Sequence, residues 1–134
     1  MTAALDRLVV DTSAVLACCL GVADYEQFES VLTRGAQLVM SAPTRLELGM
    51  VALNRNIQAR VDEALQTYQF QIEPFTPSQA TLALAAFTQY GKGRHPAALN
   101  FGNCCAYALA KSRSLPLLYK GNDFAQTDIA SALA

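Results

Sequence analysis

Leu8-Val9-Val10-Asp11-Thr12-Ser13-Ala14-Val15 is the stretch that decides the fold. Leu8, Val9 and Val10 form a short, unbroken apolar run with two β-branched members. Such a run reads as a strand covered on both faces. It stops abruptly at Asp11. Thr12 and Ser13 suit a helix cap, and the pattern predicts a helix from about Ala14 to Leu20 that Gly21 ends. A strand running straight into a helix is the first half of a β-α-β unit.

Working outward, a second helix is expected over Tyr25 to Leu32, with Phe28, Val31 and Leu32 on one face. Leu38-Val39-Met40 repeats the short strand pattern. Pro43 fits the first turn of the next helix, and Leu46, Met50, Leu53 and Ile57 recur at helical spacing as its expected buried stripe. Another amphipathic helix follows from about Gln58 to Tyr68, and Phe70 to Phe75 reads as a strand. Thr76-Pro77-Ser78-Gln79 announces a helix, with Thr76 as cap, Pro77 at its first position and Gln79 completing a capping box. That helix is expected to run to Tyr90 and stop at Gly91. A loop rich in glycine and charge follows, then a helix from about Gly102 to Arg113 and a last strand at Leu117-Leu118-Tyr119. Strands separated by helices imply a parallel central sheet with helices on both faces. The fold class is α/β, a single α/β/α sandwich occupying residues 1–134.

Composition agrees with a folded domain. Of 134 residues, 52% are hydrophobic and 16% charged, and the net charge of -1 excludes a nucleic-acid binder that works by bulk charge. No apolar run is long enough for a membrane span, and the start lacks the layout of a signal peptide, so a cytoplasmic protein is expected. The four cysteines come as adjacent pairs, Cys18-Cys19 and Cys104-Cys105, with His95 the sole histidine. That spacing suits reduced structural thiols better than zinc. The first two helices carry Val15, Leu16, Leu20, Tyr25, Phe28 and Val31, an apolar surplus that predicts an interface with a second copy or a partner helix.

In open parallel sheets, ligands bind at the carboxyl ends of the strands. Asp11 ends the first strand, Glu47 lies early in the helix after the second, and Asp123 lies just beyond the last. Each has a plainer reading: a helix cap, a solvated helix face and a turn residue, respectively. Carboxylates meeting at one edge repel unless a cation joins them, and their hard oxygens suit Mg²⁺ or Mn²⁺. Between Glu73 and Asp123 there is no acidic residue, while Lys92, Arg94, Lys111, Arg113 and Lys120 all fall there. This asymmetry could track a phosphate backbone, with Lys92 and Arg94 of the loop the candidates for contact.

Several stretches then carry a resemblance: Val10-Asp11-Thr12-Ser13-Ala14, Leu46-Glu47-Leu48, Tyr90-Gly91-Lys92-Gly93-Arg94-His95-Pro96 through Asn100-Phe101-Gly102, Ala106-Tyr107-Ala108-Leu109-Ala110, and Leu117-Leu118-Tyr119-Lys120-Gly121-Asn122-Asp123-Phe124 through Asp128-Ile129. In that order they resemble the PIN-domain ribonucleases, more narrowly the VapC toxins of toxin–antitoxin pairs. The resemblance implies a Mg²⁺- or Mn²⁺-dependent endoribonuclease, a homodimer, a VapB-type antitoxin that enters the active site, and structured RNA of the tRNA or rRNA class as substrate. The acidic cluster maps to Asp11, Glu47 and Asp123, with Asp128 as an outer member and Thr12 or Ser13 orienting ligands. Lys92 and Arg94 would contact RNA or antitoxin.

One position departs from the pattern. Where the family has Asp followed by Cys, this chain has Asn103-Cys104. Asparagine keeps a carbonyl oxygen for a metal but brings no charge and cannot act as a base. The expectation is a nuclease attenuated at Asn103, whether naturally or by an inactivating substitution. The alternative is a catalytically silent PIN-like module that binds RNA or antitoxin. A nucleotide-binding domain has little support, since no phosphate-binding glycine motif follows a strand.

Overall fold

Alternation along the first strand sets the layers. In the computed structural model, which describes residues 6–133, β1 (Arg7–Val10) is the strand expected from the apolar run. Leu8 and Val10 point into one core and Val9 into the other. The first core also takes Leu38, Met40 and Leu118 from the sheet. It is closed by α1 (Thr12–Leu20), α2 (Tyr25–Leu32), α3 (Ala42–Arg55) and α4 (Gln58–Tyr68). The second core takes Val39 and Leu117 and is closed by α5 (Pro77–Tyr90) and α6 (Phe101–Arg113).

The sheet has four strands in the order β3-β2-β1-β4, all parallel, with β2 at Gln37–Ser41, β3 at Gln71–Glu73 and β4 at Leu117–Leu118. Val9 sits between Val39 and Leu117 in register. The chain end adds a further edge beside β4, where Leu117 donates its N–H to Ala130 and accepts one from Ala132. This is the α/β/α sandwich expected from the sequence. No helix among the described residues is long and apolar enough to cross a membrane. The expectation that the chain starts without a leader rests partly on residues 1–5, which lie outside the described residues.

Three local expectations are corrected. The cap of α1 is Asp11 rather than Thr12 or Ser13: its backbone is extended and its carboxylate accepts the Ser13 N–H, so the helix already begins at Thr12. The capping box at α5 is half made. Thr76 accepts the Gln79 N–H at 3.2 Å, but the Gln79 side chain is buried with its Oε1 unpartnered.

The third correction concerns α3. Thr44, Leu48 and Ala52 face inward, whereas Leu46, Met50 and Leu53 are 64%, 55% and 64% exposed. Both sets recur at helical spacing, and periodicity alone does not say which one meets the sheet. The apolar surplus expected on α1 and α2 also moves. Val15, Phe28 and Val31 are buried internally, and the exposed large apolar side chains include Leu46, Met50 and Leu53 of α3, Leu84 of α5 and Phe101 of α6.

All four cysteines are free; Cys104 and Cys105 are buried, and burial pushes the thiols of Cys18 and Cys104 up to about 11.

Candidate active site at the carboxyl edge of the sheet

The site begins where β1 passes into α1. Capping turns the Asp11 carboxylate back over the helix start, where Oδ2 accepts the Ser13 N–H at 3.1 Å and the Ser13 hydroxyl at 2.6 Å. Asp11 is 3% exposed, and its other oxygen, Oδ1, is buried without a partner. Burial pushes the acid from its ordinary 3.8 up to about 6. The Ser13 bonds oppose that rise and the nearby negative charge of Glu47 adds to it.

Glu47 reaches the same place from α3. Its Oε1 accepts the Thr12 hydroxyl at 2.6 Å, so consecutive residues of one helix start hold the two acids. On the other side the carboxylate lies against Gly102 in the first turn of α6. Its charge also adds to the rise that burial gives the Cys105 thiol.

The remaining sequence candidates are placed differently. Asn103 is half-buried beside Gly102 and forms a reciprocal cap with Asn100. The Asn103 N–H donates to Asn100 Oδ1 at 2.9 Å, and Asn103 Oδ1 accepts the Asn100 N–H at 3.1 Å. Asp123 is exposed at the start of the 3₁₀ turn Phe124–Gln126 and makes no capping bond. Its loop is tied to the site through Ser13, whose Oγ accepts the Lys120 N–H at 3.0 Å. Asp128 belongs to another network. It accepts the Tyr107 hydroxyl at 2.6 Å and Lys111 Nζ at 2.7 Å, and these bonds outweigh partial burial and hold the acid below its usual range.

The cations of the basic segment divide likewise. Lys111, Arg113 and Lys120 pair with Asp128, Glu73 and Asp24. Lys92 and Arg94 are exposed and make no ion pair among the described residues, although Arg94 lies 5.9 Å from the Phe87 ring. Two contributors escaped sequence reasoning. Asp24 anchors Lys120, and no pattern marks it. Gly102 has a signal, a glycine placed inside a helix where alanine would be better.

Among the described residues, no three His, Cys, Asp or Glu side chains form a group able to hold a metal ion. Asp11 and Glu47 come together, and Asp123 does not complete a trio with them. Two hard carboxylates, one with an orphaned buried oxygen, nonetheless fit Mg²⁺ or Mn²⁺, because Mg²⁺ is commonly held by one or two carboxylates with waters and substrate phosphate.

The chain is similar to known proteins along nearly its whole length. A model of the PIN domain matches residues 8–130. Ribonuclease VapC28 of Mycobacterium tuberculosis and a VapC ribonuclease of Mycobacterium bovis are each 41% identical to it over 130 residues, covering 94% of this chain and 98% of theirs. Among solved structures, the sarcin–ricin-loop-cleaving toxin VapC20 of Mycobacterium tuberculosis superposes with a TM-score of 0.74 at 14% identity, covering 93% of this chain and 98% of that one. A toxin–antitoxin complex from Klebsiella pneumoniae gives 0.68 at 20% identity, covering 95% and 98%. At those identities the two structures speak for the fold alone.

Proposed function

The chain belongs to the PIN-domain family, with VapC ribonucleases among its relatives, and on that premise we propose that it is a divalent-cation-dependent endoribonuclease, the toxin of a VapBC-type pair. The observation that carries this reading is the pairing of the Asp11 carboxylate, buried with one oxygen unpartnered, with Glu47 at the carboxyl edge of the sheet.

Asp11 and Glu47 are the residues that would hold Mg²⁺ or Mn²⁺. When bound, the cation polarises a phosphodiester and lowers the pKa of an attacking water. Ser13 fixes one oxygen of Asp11, Thr12 fixes one oxygen of Glu47, and the burial of Asp11 keeps bulk water from solvating its charge. Asn103 adds no charge, so a cation here would be held by fewer carboxylates than the family pattern provides and would bind more weakly. Asp123, on a loop tied to Ser13, is a further candidate ligand that stands apart from the pair in this structure. Lys92 and Arg94 supply free positive charge for the RNA backbone.

Structured RNA of the tRNA or rRNA class is the proposed substrate and a VapB-type antitoxin the proposed partner. An apolar groove of about 370 Å³ between α5 and α6, lined by Phe75, Leu84, Phe87 and Phe101, supports the antitoxin assignment. The exposed stripe of α3 supports a homodimer.

The test is cleavage of total RNA in Mn²⁺ by the wild-type chain and its Asn103→Asp and Asp11→Asn variants. Restoring the charge while keeping the capping acceptor should raise cleavage at least tenfold, and Asp11→Asn should abolish it. Equal inertness of the wild-type and Asn103→Asp proteins, with metal bound to both, overturns the catalytic assignment and leaves a silent binding module.

A further inference from the structure

The carboxylate of Glu47 lies where a side chain of residue 102 would otherwise be. A Cβ placed on Gly102 would stand 2.7 Å from Glu47 Cδ and 2.8 Å from Oε1, and closer still to Oε2. Real Cβ atoms essentially never come that near, so the carboxylate would have to leave. Backbone geometry does not explain the glycine, because Gly102 is not among the residues with positive φ. Helix stability does not explain it either, since glycine weakens a helix relative to alanine and Gly102 sits in the first turn of α6. Space for Glu47 is the explanation that remains.

Across the carboxylate, the Thr12 hydroxyl holds Oε1 at 2.6 Å. We infer that Gly102 is a positioning residue: its missing side chain makes the start of α6 one wall of a seat whose other wall is Thr12, and that seat places the Glu47 carboxylate beside Asp11. The inference rests on the divalent-cation reading for its consequence and on packing alone for its mechanism. Glu47 is long and half-buried, with rotamers that would carry its charge out to water. A floor without a Cβ leaves the carboxylate its room between α3 and α6.

The test is a cycle of Gly102→Ala, Glu47→Asp and the double variant. Each is followed by calorimetric titration with Mn²⁺ and by urea unfolding in EDTA. Gly102→Ala should lower Mn²⁺ affinity at least tenfold and lower the urea midpoint. Glu47→Asp withdraws the carboxylate by one methylene, so in that background Gly102→Ala should have little further effect on either quantity. A merely structural glycine would show additive losses, because its cost would not depend on the length of residue 47. Additive losses, or wild-type Mn²⁺ affinity in a folded Gly102→Ala protein, overturn the inference. So does a Gly102→Ala chain that fails to fold in both backgrounds, whereas folding rescued by Glu47→Asp supports it. If the wild-type chain takes up no Mn²⁺, the cation reading fails, and coupling in EDTA alone decides the role of Gly102.

Discussion

The hydroxyl of Thr12 donates to Glu47 Oε1 at 2.6 Å while the residue before it, Asp11, caps the same helix. One helix start thus holds both acids, and their separation is set by adjacent residues rather than by the flexible length of Glu47. Thr12→Val keeps the shape of the side chain and deletes the donor. Hydrogen bonds to charged acceptors contribute about 1.5–3 kcal/mol, and the partial exposure of Glu47 lets water recover much of that. The expected outcome is a stability loss of about 1 kcal/mol in urea unfolding, with a several-fold loss of Mn²⁺ affinity by calorimetry. An unchanged affinity would show that Glu47 finds its place without Thr12.

Asp11 makes apo stability depend on pH with a definite sign. Its folded pKa of about 6 lies above the ordinary 3.8, so the native state binds the proton more tightly than the unfolded chain does. The associated stability is fully present below pH 3.8 and is lost as pH rises through about 6. The shift corresponds to roughly 3 kcal/mol at 1.36 kcal/mol per pKa unit. Asp11→Asn removes this titration. In EDTA the variant should therefore gain on the wild type between about pH 4 and 6 and level off above that, and the gain should shrink when Mg²⁺ is added to the wild type. Urea unfolding across that range checks it, and a difference independent of pH would show that Asp11 is not the buried acid described here.

Much of this architecture is legible in the residues, and the failures have physical causes. Glycine and proline punctuate α1 and α5 so strongly that Gly21, Pro77 and Gly91 mark their limits, and the amphipathic runs of α2 and α4 coincide with the helices. Asp11 stands out because a carboxylate that ends a buried strand must either cap the next helix or face the site, and here it does both. The inward stripe of α3 was not legible, because Leu48 and Ala52 repeat with the same period as Leu46 and Met50. The separation of Asp123 from Asp11 and Glu47 depends on a loop and a 3₁₀ turn, which have no periodicity to read. The seat for Glu47 exists only once α3 meets α6, two elements far apart in the chain.

The exposed stripe of α3 predicts the oligomeric state. Leu46, Met50 and Leu53 form one contiguous apolar line on a helix whose opposite face is already packed. Introducing Met50→Glu with Leu53→Lys should convert a dimer to a monomer in light scattering after size exclusion. Folding stability should change by no more than about 0.5 kcal/mol, as for surface positions without special contacts. A wild-type chain that is already monomeric at high micromolar concentration would remove the dimer from the account.

Lys92 and Arg94 should act on RNA binding rather than on folding, because neither is committed to an internal ion pair. Binding in EDTA, where no cleavage occurs, isolates their contribution. Each phosphate deprived of its cationic side chain should reduce the slope of log affinity against log salt by roughly 0.7 for a single strand and 0.9 for a duplex. Lys92→Ala and Arg94→Ala should each weaken binding several-fold at low salt, and the double variant should flatten the salt dependence by about twice the single effect. Arg113→Ala is the matched control, since that guanidinium is engaged with Glu73 at 3.3 Å and lies at the far end of α6 from Asn103. If Arg113→Ala weakens RNA binding as much as the loop variants do, Lys92 and Arg94 make no special contact with the RNA, and the loop at 91–100 is left for the antitoxin.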